Sequence, residues 1–360
     1  MDDFLIIGGG IAGMSAGAAL SGLGRVTLWE AEDATGYHAS GRSAAMFEQS
    51  YGAPEVIELN RASHAAHRDA GHLSPRGLML VGLAGEEAIF AESLAQMGLE
   101  PIDPDAARAA VPILSSRVTR TARDTEAADL DTHAMLEGAR RAIRAGGGRV
   151  ETGRRVDAVE RVPGGWRARA GTAAAEAAIL VNAAGAWADA VAALAGVAPL
   201  GLIPMRRSMA RLAAPGGHDV SGWPMLLGAG ETWYAKPDAG ALLVSPAEEE
   251  PCAAMDAWAD DMVLAEGLAR YEAAVSVPVT RPIATWAGLR TFAPDRLLAI
   301  GPGEAPGFFW CAGQGGYGFQ TAPAAARLLA DRVAGRPPEI GARLAAALDP
   351  GRFVPARSPA

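Results

Sequence analysis

An apolar run, Phe4-Leu5-Ile6-Ile7, leads straight into Gly8-Gly9-Gly10-Ile11-Ala12-Gly13, and Glu30 closes the next apolar run at residues 25–29. Few folds accommodate this order. A strand, a tight glycine turn, a helix and a second strand ending in an acid form a dinucleotide-binding unit. Gly8 lets the chain turn sharply off the strand, Gly10 lets bare backbone approach a pyrophosphate, and Gly13 lets the helix lie close on the sheet. The helix beginning near Ile11, with Ala12 in its first turn, offers unpaired N–H groups and a partial positive charge to the phosphates. Glu30, followed by Ala31, stands at the spacing of an acid that accepts ribose hydroxyls. With 44 glycines in the chain the hexapeptide alone would carry little weight, so the flanking strand, the small-residue helix at 14–20 and the acid carry the assignment. A motif opening at residue 8, with no separate nicotinamide segment, favours FAD over NAD.

At 360 residues the chain exceeds what one core usually organises, so two domains are expected, and 50% hydrophobic residues supply material for both. A net charge of −9 argues against nucleic acid and anionic membrane surfaces as partners, although acidity also serves plain solubility. Lys236 is the only lysine. Cys252 and Cys311 lie far apart without metal-ligand spacing, which fits a reducing compartment. The first strand starts too early to leave room for a signal peptide, and no apolar run reaches the roughly 18 residues of a membrane span. A cytoplasmic protein is expected, with peripheral contact at the inner membrane still open.

Three separated stretches read as parts of one α/β layer: residues 2–45, residues 177–197, and the strand 308–312 followed by Gly313-Gln314-Gly315-Gly316-Tyr317-Gly318 and a helix over 321–333. Strands feeding helices through glycine turns build a parallel sheet, with the ligand at the strands' C-terminal edge. Between them, 53–70, 86–98 and 132–145 read as helices, the last with Thr132 as N-cap, and 103–112 as a loop with a short helix. Residues 149–156, 158–162 and 165–170 read as strands, the last two joined by a turn at 163–165. The 200–290 region reads as strand-rich, with strands at 205–212, 225–227, 232–236 and 241–245 and a hairpin turn at 236–240. The expected class is α/β, α+β overall. A discontinuous Rossmann-type FAD-binding domain (1–50, 146–197 and 291–350) carries a substrate domain (51–145 and 198–290) built on a mostly antiparallel sheet. The tail after about residue 350 reads as disordered.

Residues 37–45, including Ser40, Gly41, Arg42, Ser43, Ala44 and Ala45, are too polar and glycine-punctuated for a core segment. They suit the edge of a pyrophosphate or flavin, where Arg42 could offset phosphate charge; an ordinary surface loop is the alternative. Arg207 and Arg290 each lie in or beside an apolar, aromatic strand, where a buried guanidinium needs an anion. A substrate carboxylate suits its planar fork, and an internal salt bridge is the alternative. Tyr51 and Tyr234 read as core tyrosines or pocket residues. The 313–318 glycine loop could stabilise negative charge on a reduced flavin. His64 and His67 share a helix face that reads as solvated, the other histidines are isolated, and no metal site is expected. The absence of an acid–base centre is compatible with a cofactor that carries the hard step.

The blocks Gly36-Tyr37-His38, 40–45, 181–187, Arg206-Arg207-Ser208, Trp223-Pro224-Met225-Leu226, Tyr234 with 236–240, 285–290, 307–310 and 314–320 together resemble the D-amino acid oxidase/dehydrogenase family of FAD oxidoreductases. The resemblance spans nearly the whole chain. It implies non-covalently bound FAD, with Val156, Ala184, Gly185, Gly315, Gly316, Tyr317, Gly318, Phe319 and Gln320 joining the residues above at the cofactor. Arg207 and Arg290 would clamp a substrate carboxylate, Tyr51 and Tyr234 would line and close the pocket, and hydride would leave Cα of a D-amino acid for flavin N5. The imino acid would hydrolyse to a 2-oxo acid and ammonia. The pocket would comprise Met46, Glu48, Leu78, Met225, Leu227, Gly288, Gly316 and Gln320. Where the D-arginine dehydrogenase branch carries a glutamate this chain has Leu78, and where it carries a histidine this chain has Met46. Losing a charge partner in a closed pocket costs on the order of 2–5 kcal/mol, so neutral or apolar D-amino acids are expected first. Glu48 could supply a displaced acid for basic ones. The electron acceptor would be a quinone or the respiratory chain. A sarcosine- or glycine-type amine oxidase using O2, and an FAD-binding subunit of a heteromeric dehydrogenase, are the competing expectations.

Overall fold

The computed structural model describes residues 1–353. Its first sheet centres on Asp2–Ile7, with Val26–Trp29 parallel on one side and Ala173–Asn182 parallel on the other. Arg149–Glu151 extends it beyond Val26–Trp29, and Phe308–Ala312 pairs in parallel with Ala173–Asn182. The apolar runs have no polar alternation because both faces are covered. Phe4, Ile6, Val26, Leu28 and Val181 pack into one buried cluster, while Leu5, Ile7, Trp29 and Leu180 pack into another. Helices Ile11–Leu20, Thr132–Ala145 and Gly318–Val333 fill the first side.

The second sheet follows the opposite rule. Its strands Leu78–Leu83, Ile203–Ala213, Met225–Gly228, Tyr234–Asp238, Ala241–Ser245 and Ala284–Phe292 pair antiparallel, except that Met225–Gly228 runs parallel to Leu78–Leu83. Side chains alternate between two apolar faces. Met79, Val81, Ala210, Leu226 and Val244 pack outward against helix Asp261–Ala274 through Leu264 and Tyr271. Leu78, Leu80, Met209, Met225, Leu227, Tyr234 and Leu243 point the other way, toward the first sheet.

Several expectations are corrected. Helix Thr132–Ala145 is capped by Asp131, whose carboxylate accepts from the Ala134 N–H at 2.8 Å, because the residue before the first helical one has the free backbone angle a cap needs. The strand expected over 149–156 ends at Glu151, and residues beyond it peel away to bring Val156 to the ligand cavity. The last major helix begins at Gly318, three residues early, so the last residue of the glycine loop is its first. Helix Asp261–Ala274 was hidden in a region read as strands: its weak apolar stripe covers only one face of a sheet. Residues 350–353 form a short helical turn, and the rest of the expected disordered tail lies outside the described residues.

A Cβ placed on Gly13 would sit 1.9 Å from the Gly8 carbonyl oxygen, a backbone atom that cannot swing aside. Gly13→Ala should therefore destabilise the protein by about 1–3 kcal/mol and lower its bound flavin. Gly147→Ala, where no atom lies within 4 Å of the new methyl, is the contrast. Thermal melts and flavin absorbance of the purified variants check both.

Candidate active site

One cavity, about 2160 Å³ including its open mouth, runs from the glycine turn after Ile7 to the inner face of the second sheet. At the nucleotide end Gly8, Gly10, Ala12, Glu30 and Ala31 line it. Glu30 is oriented by two backbone donors, Gly9 N–H at 2.6 Å and Glu32 N–H at 2.9 Å, which leaves carboxylate lone pairs for a ribose. Ser40 Oγ accepts from the Ile11 N–H at 3.0 Å, tying the 37–45 loop to the helix N-terminus. Gly13 is absent from the wall and serves the helix–strand contact instead.

Ser40, Arg42, Ser43, Ala44 and Ala45 line the middle of the cavity, and so do Val156, Ala184 and Gly185. Gly41 does not; its N–H donates to the Gly36 carbonyl at 2.6 Å to close the turn. Arg42 is corrected as a phosphate partner. Its guanidinium pairs with Asp256 and donates to the carbonyls of Ala257 and Ala287, both at 2.9 Å. It bolts the loop to the second sheet. Lys236 does similar work: Nζ donates to the Ala44 and Ala45 carbonyls at 2.5 and 3.1 Å and pairs with Asp129 at 2.8 Å.

Gly315, Gly316, Gly318, Phe319 and Gln320 form the opposite wall. Tyr317 turns away from it, its ring 5.5 Å from that of Tyr51 and 6.2 Å from that of Phe292. A Cβ on Gly316 would lie 3.0 Å from Arg290 Nη1, so only glycine leaves the guanidinium in place there. Bare glycines, a helix N-terminus and an oriented acid fit an adenine dinucleotide along this groove. Neither cysteine lines the cavity, and among the described residues no group of three His, Cys, Asp or Glu could hold a metal.

Register brings the two expected arginines together. In the antiparallel pair Ile203–Ala213 and Ala284–Phe292, Arg207 faces Gly288 and Met205 faces Arg290, so both guanidinium groups leave the same face on a diagonal. Their surroundings differ: Arg207 is in the internal salt bridge that was the alternative to a carboxylate clamp, and Arg290 is not. Arg207 is buried, pairs with Glu249 at 3.2 Å and donates from Nε to the Glu248 carbonyl at 2.9 Å; Glu249 is shared with Arg296 at 2.7 Å. Arg290 has no carboxylate partner among the described residues. Five arginines line the cavity. Arg42, Arg154, Arg155 and Arg207 are paired with Asp256, Glu151, Glu32 and Glu249 respectively, so Arg290 alone has charge to offer.

Tyr51 donates to Glu231 Oε2 at 3.1 Å, and burial pushes its phenol pKa up, so it stays protonated. Tyr234 presents its ring to the cavity while its hydroxyl donates to Met209 Sδ at 3.3 Å. Met46, Leu78, Met225 and Leu227 form an apolar wall, with Leu78 opposite Met225 in register. Gly288 and Glu48 complete the expected pocket. Burial first, then the neighbouring Asp124 carboxyl, pushes Glu48 up to about 8.

Sequence reading missed Glu231 and Met97, which also line the cavity. Glu231 sits in a turn at φ 54° after Gly230, where no periodicity marks it. His67 is corrected from a solvated face to a buried one. Its Nε2 lies 3.0 Å from the Gln320 carbonyl, and burial lowers its pKa to about 4.

The description "FAD dependent oxidoreductase" matches residues 3–332. The chain belongs to that family. FAD is the cofactor of this family, and the residues lining the groove described above fit it. Among curated relatives, the tRNA 5-methylaminomethyl-2-thiouridine biosynthesis bifunctional protein MnmC of Caulobacter sp. (strain K31) is 34% identical over 127 residues, 33% of this chain and 21% of that protein. A D-amino acid dehydrogenase of Rhizobium johnstonii is 43% identical over 58 residues, 16% of this chain and 14% of that one. A glycine oxidase of Pseudomonas aeruginosa is 42% identical over 79 residues, 21% of this chain and 19% of that one. These matches span about a fifth or less of each relative. The fold matches the crystal structure of L-proline dehydrogenase from P. horikoshii, with a TM-score of 0.81, 20% identity, and 98% and 97% of the two chains covered. No helix among the described residues is long and apolar enough to cross a membrane.

The state of Glu48 has a consequence for stability in this flavoprotein. Its pKa rises from 4.5 in the unfolded chain to about 8 in the fold, so the native state binds the extra proton between those values and stability falls as pH rises through that window. Glu48→Gln should flatten the decline by on the order of 2 kcal/mol between pH 5 and pH 9. Urea unfolding of the holoprotein at both pH values checks this; an unchanged slope would place the proton elsewhere.

Proposed function

We propose that the protein catalyses FAD-dependent oxidative deamination of D-amino acids, through an imino acid to a 2-oxo acid and ammonia, with broad side-chain tolerance that includes neutral and apolar substrates. The supporting observation is Arg290, the one cavity-lining arginine without a carboxylate partner among the described residues, set beside a protonated Tyr51 at the deep end of an FAD groove. A guanidinium so placed selects a carboxylate, since its fork binds both oxygens and its charge is not already neutralised. Bound FAD supplies a two-electron acceptor for the Cα–H bond. The chain's own residues do the rest. Arg290 fixes the carboxylate, and the Leu78, Met225 and Leu227 wall takes the side chain, so two of the four substituents on Cα are held and its remaining orientation follows. The apolar wall also keeps water from the reacting carbon until the imine has formed.

Preference for the D-enantiomer draws support from the D-amino acid dehydrogenase relative. A dehydrogenase is favoured over an oxidase because the sole lysine is paired with Asp129 and spent on two carbonyls, leaving no lysine charge at the cavity to promote O2 reduction. A quinone or respiratory-chain carrier then serves as acceptor. The second reading is oxidation of glycine or N-substituted glycines, for which the glycine oxidase relative speaks. An intact carboxylate anchor speaks against a subunit that only relays electrons.

Turnover of a D- and L-amino acid panel by the purified holoenzyme, with a dye acceptor and with peroxide assayed in air, separates these readings. D-amino acids should reduce the dye with little peroxide. Glycine or sarcosine turnover with stoichiometric peroxide, and none with D-amino acids, would establish the second reading. Arg290→Ala should lower kcat/KM by roughly 10²–10³-fold, a loss of about 3–4 kcal/mol. Arg207→Ala, which removes a guanidinium already paired, should cost about tenfold.

A further inference from the structure

Two strands pair with the same edge of Ile203–Ala213: Ala241–Ser245 over residues 210–213, and the short strand Glu250–Pro251 over residues 205–206. Val244 faces Ala210 and Glu250 faces Arg206, so residues 245–249 stand against residues 207–209 and the excess bulges out of the sheet. The bulge lies beside Arg207. Ala247 takes φ 55° to make it, Ser245 Oγ donates to the Ser208 carbonyl at 2.7 Å, and Glu248 Oε1 accepts from the Ser208 N–H at 2.6 Å.

That path delivers two acceptors to one edge of a guanidinium. Arg207 Nε donates to the Glu248 carbonyl at 2.9 Å and Nη2 to Glu249 Oε1 at 3.2 Å, so the Nε–Nη2 edge, which a ligand carboxylate would grip with two parallel bonds, is spent. The other Glu249 oxygen is held at 2.7 Å by Arg296, which stacks on the Phe292 ring at 4.0 Å and does not line the cavity. Glu249 is therefore tethered from outside the pocket. An ordinary structural ion pair is the plainer account, but the serine and Glu248 bonds hold the bulge without the Glu249 carboxylate, and a pair whose acid is 31% exposed adds little stability. What the carboxylate does change is the charge that Arg207 shows to the cavity.

We infer that Glu249 is a specificity-determining residue: by occupying Arg207 it leaves the pocket one anion site, at Arg290, and so excludes amino acids whose side chain carries a second carboxylate. This rests on the reading of the cavity as an amino-acid pocket. Arg207 and Arg290 leave the sheet on a diagonal, so a dicarboxylate anchored at Arg290 brings its second charge toward Arg207. It meets a guanidinium already neutralised, the Glu249 carboxylate itself, and Glu231 on the same cavity wall. A carboxylate left unpaired among acids in a closed site is strongly disfavoured. No covalent bond or proton moves; only the pairing of charges decides.

Two measurements on the holoenzyme test this. The first follows binding of succinate and of its half-amide succinamate through the visible absorbance of the bound flavin, with no turnover required. The unmodified enzyme should bind succinamate at least about tenfold more tightly than succinate. Glu249→Gln should move that ratio by about tenfold or more toward succinate, and adding Arg207→Ala to it should remove the shift. Such a gain of binding does not arise from misfolding. The second compares kcat/KM for D-aspartate and D-asparagine, in which Glu249→Gln should produce the same shift, chiefly through KM. Arg296→Ala, which leaves Glu249 to Arg207 alone, should move neither ratio. If Glu249→Gln gains succinate through Arg207 while no variant oxidises a D-amino acid, the proposed function fails and the role of Glu249 stands. If D-amino acids are oxidised but Glu249→Gln leaves both ratios unchanged, or its gain survives Arg207→Ala, the role of Glu249 is overturned and the proposed function stands.

Discussion

The proposed chemistry depends on a single guanidinium that has no carboxylate ion-pair partner among the described residues. Burying a charge without a partner is among the costliest things a fold can do, and folds tolerate it where a ligand is to supply the counter-ion. Arg290 is half-buried and has no carboxylate within ion-pair distance among the described residues, in a cavity whose other four arginines are each tied to a carboxylate. Much of the neighbourhood is shaped to keep it so. Gly316 is bare where a methyl would crowd the guanidinium, Glu249 is occupied by Arg207 and Arg296, and Glu231 is engaged by the Tyr51 hydroxyl.

The two sheets divide the labour. The parallel sheet, buried on both faces, fixes the glycine turn and Glu30 at the end of the cavity that suits a nucleotide. The antiparallel sheet spends one face on its own core, and from its other face Leu78, Met225, Leu227 and Tyr234 line the pocket. Arg42 and Lys236 join the halves, each binding carbonyl oxygens across the interface. The two walls of the cavity are thereby held in one frame, which is what the proposed orientation of a Cα–H bond demands.

The features legible in sequence were those with a local cause. The strand–glycine–helix turn, the acid at Glu30, and the glycine loop before Gly318 each announce themselves within a few residues. The placement of Arg207 and Arg290 on neighbouring strands could be suspected from their apolar flanks, but the difference between them could not. It depends on Glu249, which reaches Arg207 from 42 residues away, and nothing in the local pattern marks that pairing. Glu231 goes unmarked and His67 reads as solvated for the same reason: a turn acid and a helix histidine become pocket and core residues only through what packs on them. Helix Asp261–Ala274 was lost because a sheet's outer face, not its own periodicity, holds it in place.

The most direct test is the binding of pentanoate, a carboxylate with no amine to oxidise, followed through the visible absorbance of the bound flavin. The unmodified enzyme and Arg207→Ala should both show a saturable spectral change, with Arg207→Ala weakened by no more than about tenfold. Arg290→Ala, still carrying its flavin, should show none. Equal pentanoate affinity in Arg290→Ala, or abolition of binding by Arg207→Ala alone, would contradict the account.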